Sequence, residues 1–373
     1  MVGAGLAGAF LAERLGRAGW RVTVLEKRED PRAGAGASGR AIQLAVSERA
    51  RTLLADAGLE EEFARISVPL TARVVHGAKG SVVQPYGSRR PGRPEDRLLV
   101  PAEPLHSVDR GALAAALVEA AGRPPGVRLR FRREVVDLDP RKASVRAVGA
   151  GGEERLSADL VIGADGARSA VRGALVAAGA VEEELARLPI EHAHLRIPPD
   201  TARGLRGDAH HLWTRPGAVL SALPEPGGGF AASLFLPRSW DRGFSAFADA
   251  GAYRDFLAKT FPDVFPRLAE PARPAPGRLA TLRCHPWSAG RAVLVGDACH
   301  TLVPFTSQGA NAALEDGDAL ARALLDHAPR WERAFAAYAK RRVPPMDALS
   351  DLSQVISPLV LWLAGSVRAE SRE

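Results

Sequence analysis

The sequence predicts an α/β fold, in which alternating strands and helices build a nucleotide-binding layer and an inserted, mostly antiparallel sheet builds a second domain. Three observations carry this. A glycine fingerprint opens the chain ahead of a helical pattern, two further apolar strands end in turns containing Asp and Gly, and the central region is divided into period-two segments by Pro and Gly. With 373 residues, 46 % of them apolar and 25 % charged, the chain is long enough for two domains with a substantial core. Cys284 and Cys299 are the only cysteines, which excludes a disulfide framework and a cysteine-based zinc site and makes a reducing cytoplasm the expected setting. The formal charge is +7, but only five of the 50 basic residues are lysines and the arginines run through every segment. That is compositional bias, not the clustered basic stripe with aromatics that a nucleic acid requires. No run approaches about 18 consecutive apolar residues, so stable membrane insertion is not expected.

Gly3-Ala4-Gly5-Leu6-Ala7-Gly8 matches the dinucleotide fingerprint. A helical pattern through Phe10, Leu11 and Leu15 follows, and then a strand over 21–26. Gly3 permits a tight turn, Gly5 lets the backbone approach a pyrophosphate, and Gly8 lets helix and strand pack closely. The helix N-terminus supplies donors and partial positive charge, which brings the backbone of Leu6 and Ala7 into the candidate site. Glu26 ends the second strand and is placed to accept from ribose hydroxyls. Only Met1 and Val2 precede the fingerprint, whereas a central strand wants roughly five residues; either the start given is late, or the first strand is clipped and weakly held, and no leader is expected.

Residues 160–163 form a buried strand pattern ending at Asp165-Gly166, with a helix entered at 169–172. Residues 292–295 repeat the design and end at Gly296-Asp297; Pro304 then breaks the chain, and Gln308-Gly309-Ala310-Asn311 opens a helix carrying Leu314, Leu320, Leu324 and Leu325. Asp297 is placed to accept from a ribityl hydroxyl, and the amides from Gly309 to Asn311 face whatever anion lies above them. The pyrimidine edge of a flavin, anionic when reduced, fits. His192, His194, His210 and His211 alternate along two strands, which accounts for them without a metal. Cys299 and His300 read as packing residues and not as a redox thiol and a general base.

Together the glycine start, the Asp165-Gly166 turn and Gly296-Asp297-Ala298 resemble the single-component FAD-dependent aromatic hydroxylases over nearly the whole chain. Four strings are most similar to the kynurenine 3-monooxygenase branch: Gly39-Arg40-Ala41-Ile42-Gln43-Leu44-Ala45, Gln84-Pro85-Tyr86-Gly87, Ser107-Val108-Asp109-Arg110 and Pro304-Phe305-Thr306-Ser307-Gln308-Gly309-Ala310-Asn311. The resemblance implies FAD held among the residues above together with Arg40, Arg110 and Pro304, a transient NADPH with no nucleotide fold of its own, and O2. NADPH would reduce FAD, and a flavin C4a-hydroperoxide would hydroxylate an electron-rich ring. No catalytic side chain is implied, because the protein orients the ring, excludes water and gates reduction.

The same resemblance implies a small aromatic substrate with a carboxylate, foremost L-kynurenine going to 3-hydroxykynurenine in tryptophan catabolism, and a monomer or homodimer. Arg73 and Tyr86 match the family's carboxylate-binding arginine and tyrosine, Phe230 and Phe235 lie on the strand that matches its pocket wall, and Phe305 is placed with them. Ile356 stands where the branch carries an asparagine, Ser307 where it carries a glycine, and Glu373 ends the chain before the segment that closes the family's pocket. Another carboxylated or tryptophan-derived aromatic is therefore the alternative substrate, and a noncatalytic flavin-binding paralogue is the alternative of another class. A Rossmann-like FAD-binding domain is expected from 1–70, 101–178 and 285–350, a substrate domain from 71–100 and 179–284, and a C-terminal helix from 351–373.

Overall fold

A computed structural model describes residues 1–33, 42–77, 80–87, 103–238, 243–272 and 274–365, with side chains as far as 355. The nucleotide-binding layer is a parallel sheet assembled around the fingerprint. Val22–Glu26 pairs in parallel with Val127–Phe131, and Val161–Gly163 with Ala292–Leu294. Val2 lies between these two pairs and bridges both Leu25 and Gly163. Its N–H donates to Ile162, its carbonyl accepts from Ala164, and the flanking groups of Met1 and Gly3 bond Leu25. The expectation of a weakly held first strand is corrected on this point: the segment is short, yet it is paired on both edges and the Val2 side chain is buried.

Helices Leu6–Arg17, Arg110–Gly122 and Gly309–His327 pack together beside this sheet. Phe10, Leu11, Leu117, Leu314 and Leu320 are fully enclosed there. Each supplies an apolar stripe at helical spacing, which buries on the order of 1.5–3 kcal/mol per large side chain.

The second unit is an eight-stranded sheet in the order His300–Thr301, Gly277–His285, Glu182–Ile197, Phe230–Pro237, Ala218–Pro224, Ala209–Arg215, Ala72–Gly77 and Gly80–Pro85. Neighbours are antiparallel except Ala209–Arg215, which runs parallel to Ala72–Gly77. Side chains alternate between faces along each strand. One face carries Trp213, Leu220, Phe230 and Leu234 into a core shared with Tyr253, Leu257 and Phe261. The other carries Leu188, Val219, Phe235 and Leu279 against Val303 and Phe305, on the approach to the Gly309 helix. This second face therefore looks toward the nucleotide-binding layer.

The last helix, Trp331–Gly365, runs unbroken through the boundary placed at 350 and lies along the Gly309 helix. It also approaches Pro304–Thr306 and the strands Ala209–Arg215 and Ala218–Pro224. Among the described residues no helix is long and apolar enough to cross a membrane. The arginine-rich loop after Tyr86 lies outside the described residues.

Candidate active site

The three fingerprint glycines differ in what a side chain would meet. Gly3 has φ +98°, and a Cβ there would collide with the Ala164 carbonyl; a Cβ on Gly8 would collide with the carbonyl of Gly3. Both are required by the protein's own packing. A Cβ on Gly5 would meet nothing within 4 Å, so that glycine keeps space open at the helix N-terminus. No side chain caps this end and no acid stands in the first turn, which leaves helix amides for an outside anion. The space and the donors fit a pyrophosphate.

Glu26 closes the adjoining strand, buried to 9 % exposure. One carboxylate oxygen accepts from the Ala4 N–H at 2.8 Å and the other from the Arg28 N–H at 2.9 Å. Each oxygen retains a lone pair, so the carboxylate can still accept a ribose hydroxyl.

Asp165 is engaged differently. Its carboxylate accepts from Ser169 Oγ at 2.6 Å and from the amides of Ala170 and Val171, capping the helix Ala170–Ala177. Burial pushes its pKa above the usual carboxylate range, against these hydrogen bonds. Facing outward at this turn is backbone, with Gly166 at φ +80° and open space where its Cβ would be. Asp297 follows Gly296, whose φ is +64°, on the end of Ala292–Leu294. Burial raises its pKa, and the charges of His300 and Arg110 oppose the rise. Arg110, first residue of its helix, thus lies within electrostatic reach of Asp297.

The loop Pro304–Thr306 leads into the Gly309 helix through Ser307, at φ +54° in the left-handed region. That conformation favours glycine, which is the residue the family resemblance leads one to expect at this point. Gln308 provides no side-chain cap and the first turn holds no acid, so the amides of Gly309, Ala310 and Asn311 are available to an anion. The Asn311 side chain itself is structural: Oδ1 accepts from the Ser47 N–H at 2.9 Å, while Nδ2 donates to Ala45 at 3.0 Å and to Ser307 at 2.8 Å.

On the facing sheet, Arg73 pairs with His210 on one side and Gln84 on the other. Tyr86 follows Gln84 by two residues. Burial raises its phenol pKa, while the charge of Arg73 pulls it back, so the two lie near one another. Phe235 and Phe305 meet with ring centroids 5.0 Å apart. Phe230 does not join them, which corrects its assignment to the pocket: five residues before Phe235, it points to the opposite face and packs edge-on against His211, 5.3 Å away. Arg40 lies outside the described residues, as does the side chain of Ile356.

The profile of the FAD binding domain family matches residues 1–353. The kynurenine 3-monooxygenase of Salinispora arenicola (strain CNS-205) is 39 % identical over 364 residues, covering 95 % of this chain and 78 % of the relative. The chain belongs to the FAD-dependent aromatic monooxygenases. The kynurenine 3-monooxygenase of Stenotrophomonas maltophilia (strain K279a) is similar at 37 % identity over 363 residues, 95 % of this chain and 77 % of that one. The tetrameric form of 2-methyl-3-hydroxypyridine-5-carboxylic acid oxygenase shares the fold with a TM-score of 0.78 at 22 % identity, covering 98 % of this chain and 92 % of that one.

This monooxygenase ties its strand ends together with residues that the sequence pattern did not single out. Arg172, 6 % exposed, donates to the carbonyls of Ala167 and Ala298 and pairs with Glu183 at 2.7 Å, linking the Asp165 and Asp297 turns. Asp316, fully buried on the Gly309 helix, accepts from His300 and from Arg342 of the last helix, and Arg342 also holds Glu315 at 2.9 Å. Arg172, within a run of apolar helix residues, was the available signal, but its partner at Ala298 lies 126 residues away in sequence. Cys299 donates to the Gly296 carbonyl, and burial holds its thiol pKa well above the ordinary value, so it is a poor nucleophile.

Proposed function

We propose that the enzyme hydroxylates the ring of a small carboxylated aromatic, L-kynurenine to 3-hydroxykynurenine foremost, with NADPH and O2 as co-substrates. In balance, substrate, O2, NADPH and a proton give hydroxylated product, NADP+ and water. The observation that carries this reading is one sheet face with Arg73 and Tyr86 at one end and Phe235, against Phe305, at the other. Three strand spacings separate the Arg73 and Phe235 strands, about 14 Å, a span that the arginine side chain and an amino acid with an aryl ketone fill together. Two relatives at 39 % and 37 % identity bear the name kynurenine 3-monooxygenase, which supports that substrate.

Bound FAD supplies the redox and oxygen chemistry. In this reading the amides around Gly5 to Ala7 hold the pyrophosphate, Glu26 takes the ribose, and Asp297 with Arg110 beside it takes the ribityl chain. The backbone at Asp165-Gly166 lines the cofactor, and the amides from Gly309 to Asn311 stabilise negative charge on the pyrimidine edge. Arg73 and Tyr86 grip the substrate carboxylate with charge-assisted hydrogen bonds. Phe235 and Phe305 align the ring and keep water from it.

Rapid mixing of the oxidised holoenzyme with NADPH under anaerobic conditions tests the reading. Kynurenine should accelerate flavin bleaching, and admitting air should then give hydroxylated product. If kynurenine leaves the rate unchanged while another carboxylated aromatic raises it, the substrate is that other acid; Ile356, in place of the branch's asparagine, is the feature that favours this second reading.

A further inference from the structure

The wall between Arg73 and Phe235 is not uniformly apolar. Strand registers give a map of the face: Leu212 is opposite Ser221, Ser221 opposite Ser233, and Ser233 opposite His194. One row toward Phe305, Val219 is opposite Phe235; toward the other end His210 stands beside Arg73. Between the Arg73 and Phe235 strands this face therefore carries Ser221, with Ser233 beside Phe235 on its own strand. Both serines are half-buried. Ser221 Oγ is 2.8 Å from His210 Nε2, and Ser233 Oγ is 3.3 Å from His194 Nδ1. A hydroxyl has one proton to donate and two lone pairs. With each imidazole in the tautomer that donates to its serine, both hydroxyl protons remain for a third group. Cross-strand partners bring their Cβ atoms to about 5 Å, close enough for both to reach one acceptor.

We propose that Ser221 and Ser233 form a polar subsite that recognises a carbonyl oxygen on the atoms linking the substrate's carboxylate to its ring, so that the enzyme selects aryl keto acids over acids with a hydrocarbon link. This rests on the carboxylate and ring positions proposed above. An apolar wall would suffice to hold a ring, and hydroxyls placed among Leu212, Val219 and Phe235 carry a desolvation cost that a ligand acceptor offsets. The tautomers that free the protons also fix His210 and His194 as positioning residues for the two serines.

Titration of the holoenzyme with benzoylpropionate and phenylbutyrate, followed by the shift in flavin absorbance, tests the proposal. These acids share one carboxylate-to-ring span and differ in the ketone. The wild type should prefer benzoylpropionate by roughly tenfold, the effect of one or two net hydrogen bonds. The Ser221→Ala, Ser233→Ala double variant should narrow this to about threefold or less while phenylbutyrate binding holds, and Ser221→Ala alone should fall between. Arg73→Ala should weaken both acids alike. Equal binding of the two acids by the wild type, or an unchanged preference in the serine variants, overturns the subsite alone. Failure of the wild type to bind either acid overturns the carboxylate assignment and the subsite together.

Discussion

Gly5 and Gly8 sit three residues apart and carry different burdens. A side chain on Gly8 collides with the Gly3 carbonyl, whereas one on Gly5 projects into open space. Gly5→Val should therefore melt close to the wild type yet retain no FAD, while Gly8→Val should lose thermal stability and FAD together; melting curves read beside flavin absorbance check both. Arg73 belongs to the same scale. Arg73→Ala leaves flavin content unchanged and lowers kcat/KM for the carboxylated substrate by about 2–4 kcal/mol, through a raised KM, as expected when one partner of a desolvated charge pair is removed. Steady-state kinetics with matched flavin loading measure this. Glu26 and the glycines were legible because a spacing rule links each to a backbone requirement. Phe230 was misplaced because an aromatic on a strand with both faces covered looks the same from either side, and only the register decides. Asp165 was legible as a strand-end acid, but its use as a helix cap depends on where Ser169 and the following amides turn.

At the scale of elements, Asn311 joins three segments: its own helix, the strand Gln43–Ser47 and the loop ending at Ser307. Asn311→Ala leaves two buried carbonyls and an amide without their partner and should cost about 2–4 kcal/mol in urea unfolding. The long sheet carries a second, pH-dependent contribution. Burial, with the nearby charges of Arg73 and His211, lowers the His210 pKa to about 3. Burial, with His211 and Arg215 against the opposing pull of Asp263, lowers that of His76 to about 4. Both start from an ordinary value of 6.5, so between that pH and 4 the unfolded chain binds more protons than the folded one. Stability is full above this window and falls as pH drops through it. Urea midpoints should decline on acidification from neutrality, and His76→Gln should flatten the decline; a slope unchanged by that substitution would remove His76 as a source. Some of the sheet's strands, such as the one carrying Phe230 and Phe235, were readable from alternation and turn residues. Their order was not, since the parallel pairing of Ala72–Gly77 with Ala209–Arg215 joins segments that local patterns cannot relate.

Across the whole molecule, three strand ends separated widely in sequence meet at one place. Gly3 to Gly8, Asp165-Gly166 and Gly296-Asp297 close on a common region because Val2 bridges the two halves of the parallel sheet and Arg172 holds two of the turns. The paired strand ends and the family likeness were visible in the sequence. Arg172 and the His300–Asp316–Arg342 contacts that brace this convergence were not, because each partner is ordinary alone. The central claim is that these ends make one site for one flavin, with the substrate face opposite. Titrating flavin-free protein with FAD tests it most directly. Saturation is expected at one FAD per chain with a perturbed flavin spectrum and a raised melting temperature; folded protein that stays colourless after excess FAD would overturn the assignment.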